Sequence, residues 1–222
     1  MITQIYTMQS LEEARAIIDA GVDHIGITPG ENNLPGEISY KDAFEIFQAV
    51  KGEITRIAIT VSTDIEEIIE MVKAVQPDIL HICGPSSTMM PPPALYELRR
   101  ALPGIRIMQA ISVGDRSAVD LCLKYQDAAD IIILDTEVST IGGIGASGET
   151  HDWSISKEIV DRCKLPVILA GGLSPDNVAA AIKAVRPWGV DSLSCTNIPL
   201  ENGGFRKDIA KIKQFVKNAL EA

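Results

Sequence analysis

Three places along the chain combine residue types that could do chemistry. The first is Pro166-Val167-Ile168-Leu169-Ala170-Gly171-Gly172-Leu173-Ser174-Pro175-Asp176-Asn177-Val178. Its branched apolar run reads as a buried parallel strand. Gly171 and Gly172 then let the backbone turn with no Cβ in the way of a ligand. Ser174 or Asp176 is placed to cap a following helix, with Pro175 in its first turn. Free N–H groups facing an open space at a helix start make a phosphate cradle; a tight turn holding no ligand would use the same residues. The second place is Asp135, which ends the run Ile131-Ile132-Ile133-Leu134. A carboxyl at an apolar mouth has its pKa raised by desolvation and can serve as a general acid, although a capping or ion-paired Asp reads alike. The Gly-rich stretch that follows includes Gly145, Ser147 and Gly148, and could close over a ligand or simply connect. The third place is His81 and Cys83, which share parity on one strand. The imidazole could be an acid or base, and the thiol a base or nucleophile if its pKa is lowered; both could equally line a core. Ser194, Cys195 and Thr196 end the last strand candidate, and the hydroxyls of Ser194 and Thr196 are candidate phosphate donors.

The elements that must position these groups alternate regularly. Strand-like runs are expected at Ile2–Thr7, Asp23–Thr28, Thr55–Val61, Ile79–Cys83, Ile105–Ser112, Ile131–Asp135, Val167–Ala170 and Val190–Cys195. Amphipathic segments lie between and after them, the last two at Asp176–Val185 and Arg206–Leu220. Gly21, Gly104 and Gly189 stand where helix C-terminal caps should. Eight such units in 222 residues predict one (β/α)8 barrel domain over residues 1–222. An open doubly wound sheet is the competitor, but no GxGxxG follows the first strand. In a barrel of this kind the chemistry belongs at the C-terminal ends of the strands.

Composition narrows the function. The net charge of −10 argues against nucleic-acid or anionic-membrane partners, but not against a small phosphorylated ligand. No apolar stretch has the length of a membrane span, and the first residues lack the basic start and apolar core of a signal peptide. The four cysteines are widely spaced with no CxxC pair, and the three histidines show no ligand spacing. Neither a disulfide framework nor a metal site is expected, and the setting is read as cytoplasmic.

Taken together, the residues resemble the phosphoribosylanthranilate isomerase family over nearly the whole chain. The likeness is carried by Pro166 to Val178, by Val185-Arg186-Pro187-Trp188-Gly189-Val190-Asp191, by Leu134-Asp135, by Asp78 to Gly84, and by Gly145 to Trp153, whose Thr150-His151-Asp152-Trp153 is similar to the family's usual Thr-Phe-Asp-Trp. The resemblance implies a barrel that catalyses an Amadori rearrangement in tryptophan biosynthesis. Asp135 would protonate the furanose ring oxygen, while Gly171, Gly172 and the end of the eighth strand hold the phosphate. The departures are equally specific. Gln4-Ile5-Tyr6-Thr7 stands where the family has Lys-Ile-Cys-Gly, so Tyr6 replaces the cysteine that removes the C2 proton. Between Arg15 and Lys41 there is no Lys or Arg, so the loop lacks the arginine that holds the anthranilate carboxylate and carries Glu31 and Glu37 instead. His81 and Cys83 replace a Gln and a His, and Ser194-Cys195-Thr196-Asn197 replaces Ser-Gly-Val-Glu.

The expectation is therefore a cofactor-independent isomerase acting on a phosphorylated sugar derivative with an altered substrate. Its acid is Asp135, and its base Cys83, His81 or Tyr6. An authentic phosphoribosylanthranilate isomerase with substituted residues is the first alternative, and a phospholigand-binding barrel without turnover the second. A monomer or homodimer is expected.

Overall fold

The barrel strands bury residues on both of their faces, which is why a sequence such as Ile131-Ile132-Ile133-Leu134 reads as an unbroken apolar run. Ile131 and Ile133 point inward with Ile57, Ile79, Met108 and Ile168, while Ile132 and Leu134 of the same strand pack outward against the helices. The period of two along a strand separates these two cores.

The computed structural model describes residues 1–136, 150–201 and 203–222. In order these form β1 (Ile2–Tyr6), α1 (Leu11–Ile18), β2 (His24–Ile27), α2 (Tyr40–Ala49), β3 (Thr55–Thr60), α3 (Ile65–Val75), β4 (Ile79–Ile82), α4 (Pro92–Ala101), β5 (Arg106–Ser112), α5 (Ser117–Tyr125), β6 (Ile131–Asp135), α6 (Trp153–Arg162), β7 (Val167–Leu169), α7 (Val178–Val185), β8 (Gly189–Ser192), β9 (Asn197–Pro199), β10 (Phe205–Lys207) and α8 (Ile209–Leu220). Strands β1 to β8 are parallel and close into a barrel. The seam pairs β1 with β8, placing Gln4 beside Asp191 and Ile5 beside Ser192. The expected (β/α)8 architecture is the observed one. Among the described residues no helix is long and apolar enough to cross a membrane.

The helices begin where the sequence supplies side-chain acceptors. Asp64 accepts from the N–H groups of Glu66 and Glu67 at the start of α3, and Ser39 and Asp208 cap α2 and α8 in the same way. Each such cap satisfies donors that a helix start leaves unpaired.

Three local expectations are corrected. Helix α7 starts at Val178 behind Asn177, and neither Ser174 nor Asp176 caps it. Instead the Asn177 side chain accepts from the Ser174 N–H, and the Asp176 N–H donates to Ser174 Oγ. These residues, with Pro175, form a hydrogen-bonded turn before the helix. Gly189 is not a helix cap but the first residue of β8, because Arg186 takes the left-handed position that ends α7. The eighth strand stops at Ser192, followed by a single 3-10 turn at Ser194–Thr196 and an antiparallel β9–β10 hairpin. The last helix therefore starts at Ile209 rather than Arg206.

Candidate active site

Three adjacent strands, β6, β7 and β8, deliver the groups at the mouth. Their C-terminal ends surround a small pocket whose lining includes Asp135, Gly171, Gly172, Asp191, Ser194 and Cys195. Gly171 and Gly172 both have positive φ, 83° and 60°. A Cβ on Gly171 would stand 2.8 Å from Thr136 Oγ1, 3.0 Å from His151 Nδ1 and 3.3 Å from Asp135 Oδ1, so glycine is required both by conformation and by space. The turn is braced from behind: Asn177 Nδ2 donates to the Gly172 carbonyl at 3.0 Å and Ser192 Oγ to the Leu173 carbonyl at 2.7 Å. Of the three strand-8 candidates, Ser194 and Cys195 face the cavity. The Thr196 hydroxyl donates to the Leu193 carbonyl at 3.1 Å, and Thr196 does not line this pocket. Gly145, Ser147 and Gly148 lie outside the described residues.

Asp135 accepts from the Thr136 N–H at 2.7 Å. Burial pushes its pKa up to about 7, against the pull of that backbone hydrogen bond. A carboxyl of this kind holds a proton at neutral pH and can release it. Thr136 is tied in turn to His151, with Oγ1 and Nδ1 3.2 Å apart, and His151 Nε2 lies 2.7 Å from Ser156 Oγ on α6. Burial holds His151 down at about 4, so a neutral imidazole anchors the start of α6 to the end of β6.

Two groups that sequence reading passed over stand beside this cavity. Asp191, on β8, is 6% exposed and accepts from Gln4 Nε2 at 3.1 Å. Burial and the charge of Asp135 raise its pKa, while Gln4 and Lys207 oppose the rise. Lys207, on β10, is 3% exposed; its ammonium donates to the Tyr6 carbonyl and, at 2.8 Å, to Asn197 Oδ1. Burial lowers its pKa to about 7 while Glu13 and Asp191 pull it upward. The inward parity of Asp191 was readable from the strand pattern, whereas nothing in the local sequence marks Lys207 as buried.

Tyr6, His81 and Cys83 cluster at the C-terminal ends of β1 and β4. The Tyr6 ring passes over Gly26, where any Cβ would overlap it, and its hydroxyl lies 2.9 Å from His81 Nδ1. Burial, Asp191 and Cys83 all raise the Tyr6 pKa, and burial lowers His81 to about 3. Both groups are neutral across the physiological range. Cys83 belongs to the same inner cluster as Tyr6 and is 3% exposed. His81 and Cys83 thus share a face as their spacing predicts, but neither they nor Tyr6 line the cavity that holds Asp135.

The loop after β2 uses Glu37 internally. The Glu37 carboxylate accepts from the N–H groups of Asn32 at 2.6 Å and Leu34 at 3.1 Å, and so shapes its own loop. A second groove, lined in part by Asn32, Glu37, Tyr40, Ser62 and Glu67, contains no Lys or Arg. His24 is buried with Nδ1 3.2 Å from Gln4 Oε1. Among the described residues no group of three or more His, Cys, Asp or Glu side chains could hold a metal ion.

Comparison with known proteins agrees with this architecture. Residues 3–218 match the family described as PRAI, N-(5'phosphoribosyl)anthranilate (PRA) isomerase. The chain is 32% identical to N-(5'-phosphoribosyl)anthranilate isomerase of Methanocella arvoryzae, over 93% of this chain and 92% of that protein. It is 31% identical to the Methanosarcina mazei protein named N-(5'-phosphoribosyl)anthranilate isomerase 2, over 99% and 94%. Among solved structures, phosphoribosyl anthranilate isomerase from Thermotoga maritima superposes with a TM-score of 0.81 at 29% identity, each chain covered completely. A phosphoribosyl anthranilate isomerase complex with reduced 1-(o-carboxyphenylamino)-1-deoxyribulose 5-phosphate gives a TM-score of 0.81 at 26% identity, again with full coverage.

Proposed function

The chain belongs to the N-(5'-phosphoribosyl)anthranilate isomerase family, and from that premise we propose that it catalyses the Amadori rearrangement of a phosphoribosylated amine, with N-(5'-phosphoribosyl)anthranilate as the substrate. The observation that carries the reading is the cavity in which Asp135 lies against the Gly171–Gly172 turn and the end of β8. Asp135 protonates the furanose ring oxygen, the C1–O bond breaks, and the amine lone pair forms a C1–N iminium. Removal of the C2 proton gives an enolamine, which becomes the 1-amino-1-deoxyketose. C1 is reduced as C2 is oxidised, so proton transfers suffice and the reaction needs no redox cofactor. The N–H groups of the glycine turn, with the Ser194 hydroxyl and the backbone around Cys195, hold the 5'-phosphate. The partner is thus a small phosphorylated molecule, the chain working as a monomer or homodimer in the cytoplasm.

A second reading has its own support. With Tyr6 at the family's cysteine position and no Lys or Arg between Arg15 and Lys41, the phosphoribosylated amine would be one without a carboxylate. Turnover of phosphoribosylanthranilate, followed by loss of its fluorescence, separates the two. Activity abolished by Asp135→Asn supports the first reading. A folded wild-type protein with no activity refutes it, and turnover of uncharged phosphoribosylamines would then support the second.

A further inference from the structure

We propose that His151 is a positioning residue for the general acid: together with Ser156 and Thr136 it locks the peptide that binds Asp135, and so sets the direction in which that carboxyl presents its proton. The inference rests on the isomerase reading above and adds a residue to its acid step. The geometry is a chain of three hydrogen bonds. Ser156 Oγ, on α6, lies 2.7 Å from His151 Nε2; His151 Nδ1 lies 3.2 Å from Thr136 Oγ1; and the Thr136 N–H donates to Asp135 Oδ1 at 2.7 Å. Ser156 is fully buried, so the far end of the chain is anchored inside the protein. Residues 15 positions apart, at the end of β6 and the start of α6, are tied by its middle link. Thr136 Oγ1, His151 Nδ1 and Asp135 Oδ1 also converge within 3.3 Å of the point where a Cβ on Gly171 would stand. The acid, the hydroxyl and the imidazole thus pack as one unit against the glycine turn. His151 stands where the family usually has phenylalanine, whose ring could bond neither hydroxyl.

The imidazole acts through hydrogen bonds and not through charge. Burial holds it at about 4 although Asp152 pulls it upward, so at neutral pH the ring has one N–H and one acceptor nitrogen. With a hydroxyl at each nitrogen it donates to one and accepts from the other, and turning the ring would break both bonds. Thr136 is thereby held by its side chain, and its N–H is held on Asp135. That N–H opposes the burial that disfavours the Asp135 carboxylate. Two other carboxyls face this unit. Asp191 approaches from β8, where the Asp135 charge acts on it, and Asp152 lies beside the ring but accepts from the Ser154 N–H. A loosened Thr136 peptide would free the carboxyl to swing and would weaken the one bond that the chain supplies to its anion. His151 lines no part of the pocket, so it acts only through Thr136. Proton transfer to a ring oxygen depends on the reach and direction of the donor, and a side chain that never meets the substrate can therefore set its rate.

The test is His151→Phe, read by carboxyl NMR of protein labelled with ¹³C-aspartate and by kcat and KM for phosphoribosylanthranilate. Phe fills the place of the ring and removes no charge at neutral pH, so a merely structural role would leave the Asp135 midpoint unmoved. The expected result is a midpoint raised by about 0.5 or more, with kcat lowered about 10–100-fold. KM should change little, because Asn177 and Ser192 brace the glycine turn separately. His151→Asn, whose amide can replace Nδ1 against Thr136, should bring back the midpoint and most of the rate. Thr136→Val should reproduce the effects of His151→Phe, and the double variant should add little to either. An unmoved midpoint in His151→Phe, or additive effects in the double variant, overturns the proposal. If His151→Phe fails to fold, Thr136→Val and Thr136→Ser carry the same test: the midpoint should rise in the first and not in the second, and equal midpoints overturn the proposal. If wild type shows no turnover at all, the isomerase reading fails on that result alone, and the midpoint by itself decides whether His151 holds Asp135.

Discussion

Replacing Asp135 by Asn should stabilise the protein at alkaline pH while abolishing its activity. In the folded chain the carboxyl titrates at about 7, against an ordinary value of 3.8, because burial disfavours its charge. Between those two values the unfolded chain has released the proton and the folded chain still holds it. Stability therefore falls as pH rises through this window and levels off above about 7. A gap of about three units corresponds to about 4 kcal/mol. Asp135 keeps some contact with solvent, so about 2 kcal/mol is the safer figure. Asn is nearly isosteric and its Oδ1 can still accept from the Thr136 N–H, so the variant loses the charge and little else. It should also relieve Asp191, whose pKa the Asp135 charge raises, an effect of the same sign. Urea unfolding of both proteins from pH 4 to pH 9 provides the assay. The variant should gain about 2–4 kcal/mol on wild type between the acid and alkaline ends, or about 5–10 °C in Tm for a chain of this size. Parallel stability curves would show that Asp135 is not desolvated, and the general-acid argument would lose its physical basis.

Two further perturbations read other parts of the site. Gly26→Ala places a methyl group in the Tyr6 ring, and overpacking with loss of the Tyr6–His81 hydrogen bond should cost about 2–4 kcal/mol; in a Tyr6→Leu background the penalty should largely disappear, and equal penalties in the two backgrounds would refute the contact. Gly171→Ala puts a Cβ 2.8 Å from Thr136 Oγ1 at a φ of 83° and should weaken inorganic phosphate binding, measured by calorimetry, about tenfold or more, a change of about 1.4 kcal/mol; unchanged affinity would remove the turn from the phosphate site.

The barrel was legible because its signal is repeated. Each strand contributes an apolar run to two cores, and the same alternation recurs from Ile2 to Ser192. The glycine turn and Asp135 were legible because local sequence marks a strand end. What escaped depends on residues distant in the chain. Tyr6 looks like a residue of the mouth until Gly26, twenty positions on, gives its ring a path inward toward His81. Lys207 reads as a surface residue because lysine usually is one; its burial depends on Asn197 and the Tyr6 carbonyl. The β9–β10 hairpin was missed because its strands are three residues each and partly polar. Gly189 was misjudged because Arg186 adopts a conformation that glycine more often supplies. Asp191 carries no local signal because it lies within its strand, one residue before the strand end.

The bond from Lys207 to the Tyr6 carbonyl joins residues 201 positions apart, and it lies beside the seam between the first and last strands of the barrel. Such closure cannot be approached gradually from one end during synthesis. A chain emerging from the ribosome carries β1 with an open edge until β8 and the hairpin behind it are available to cover it. Nearly the whole chain must therefore exist before any part of the mouth is built, and an interrupted product would be an exposed apolar sheet, prone to aggregation, rather than a weaker enzyme.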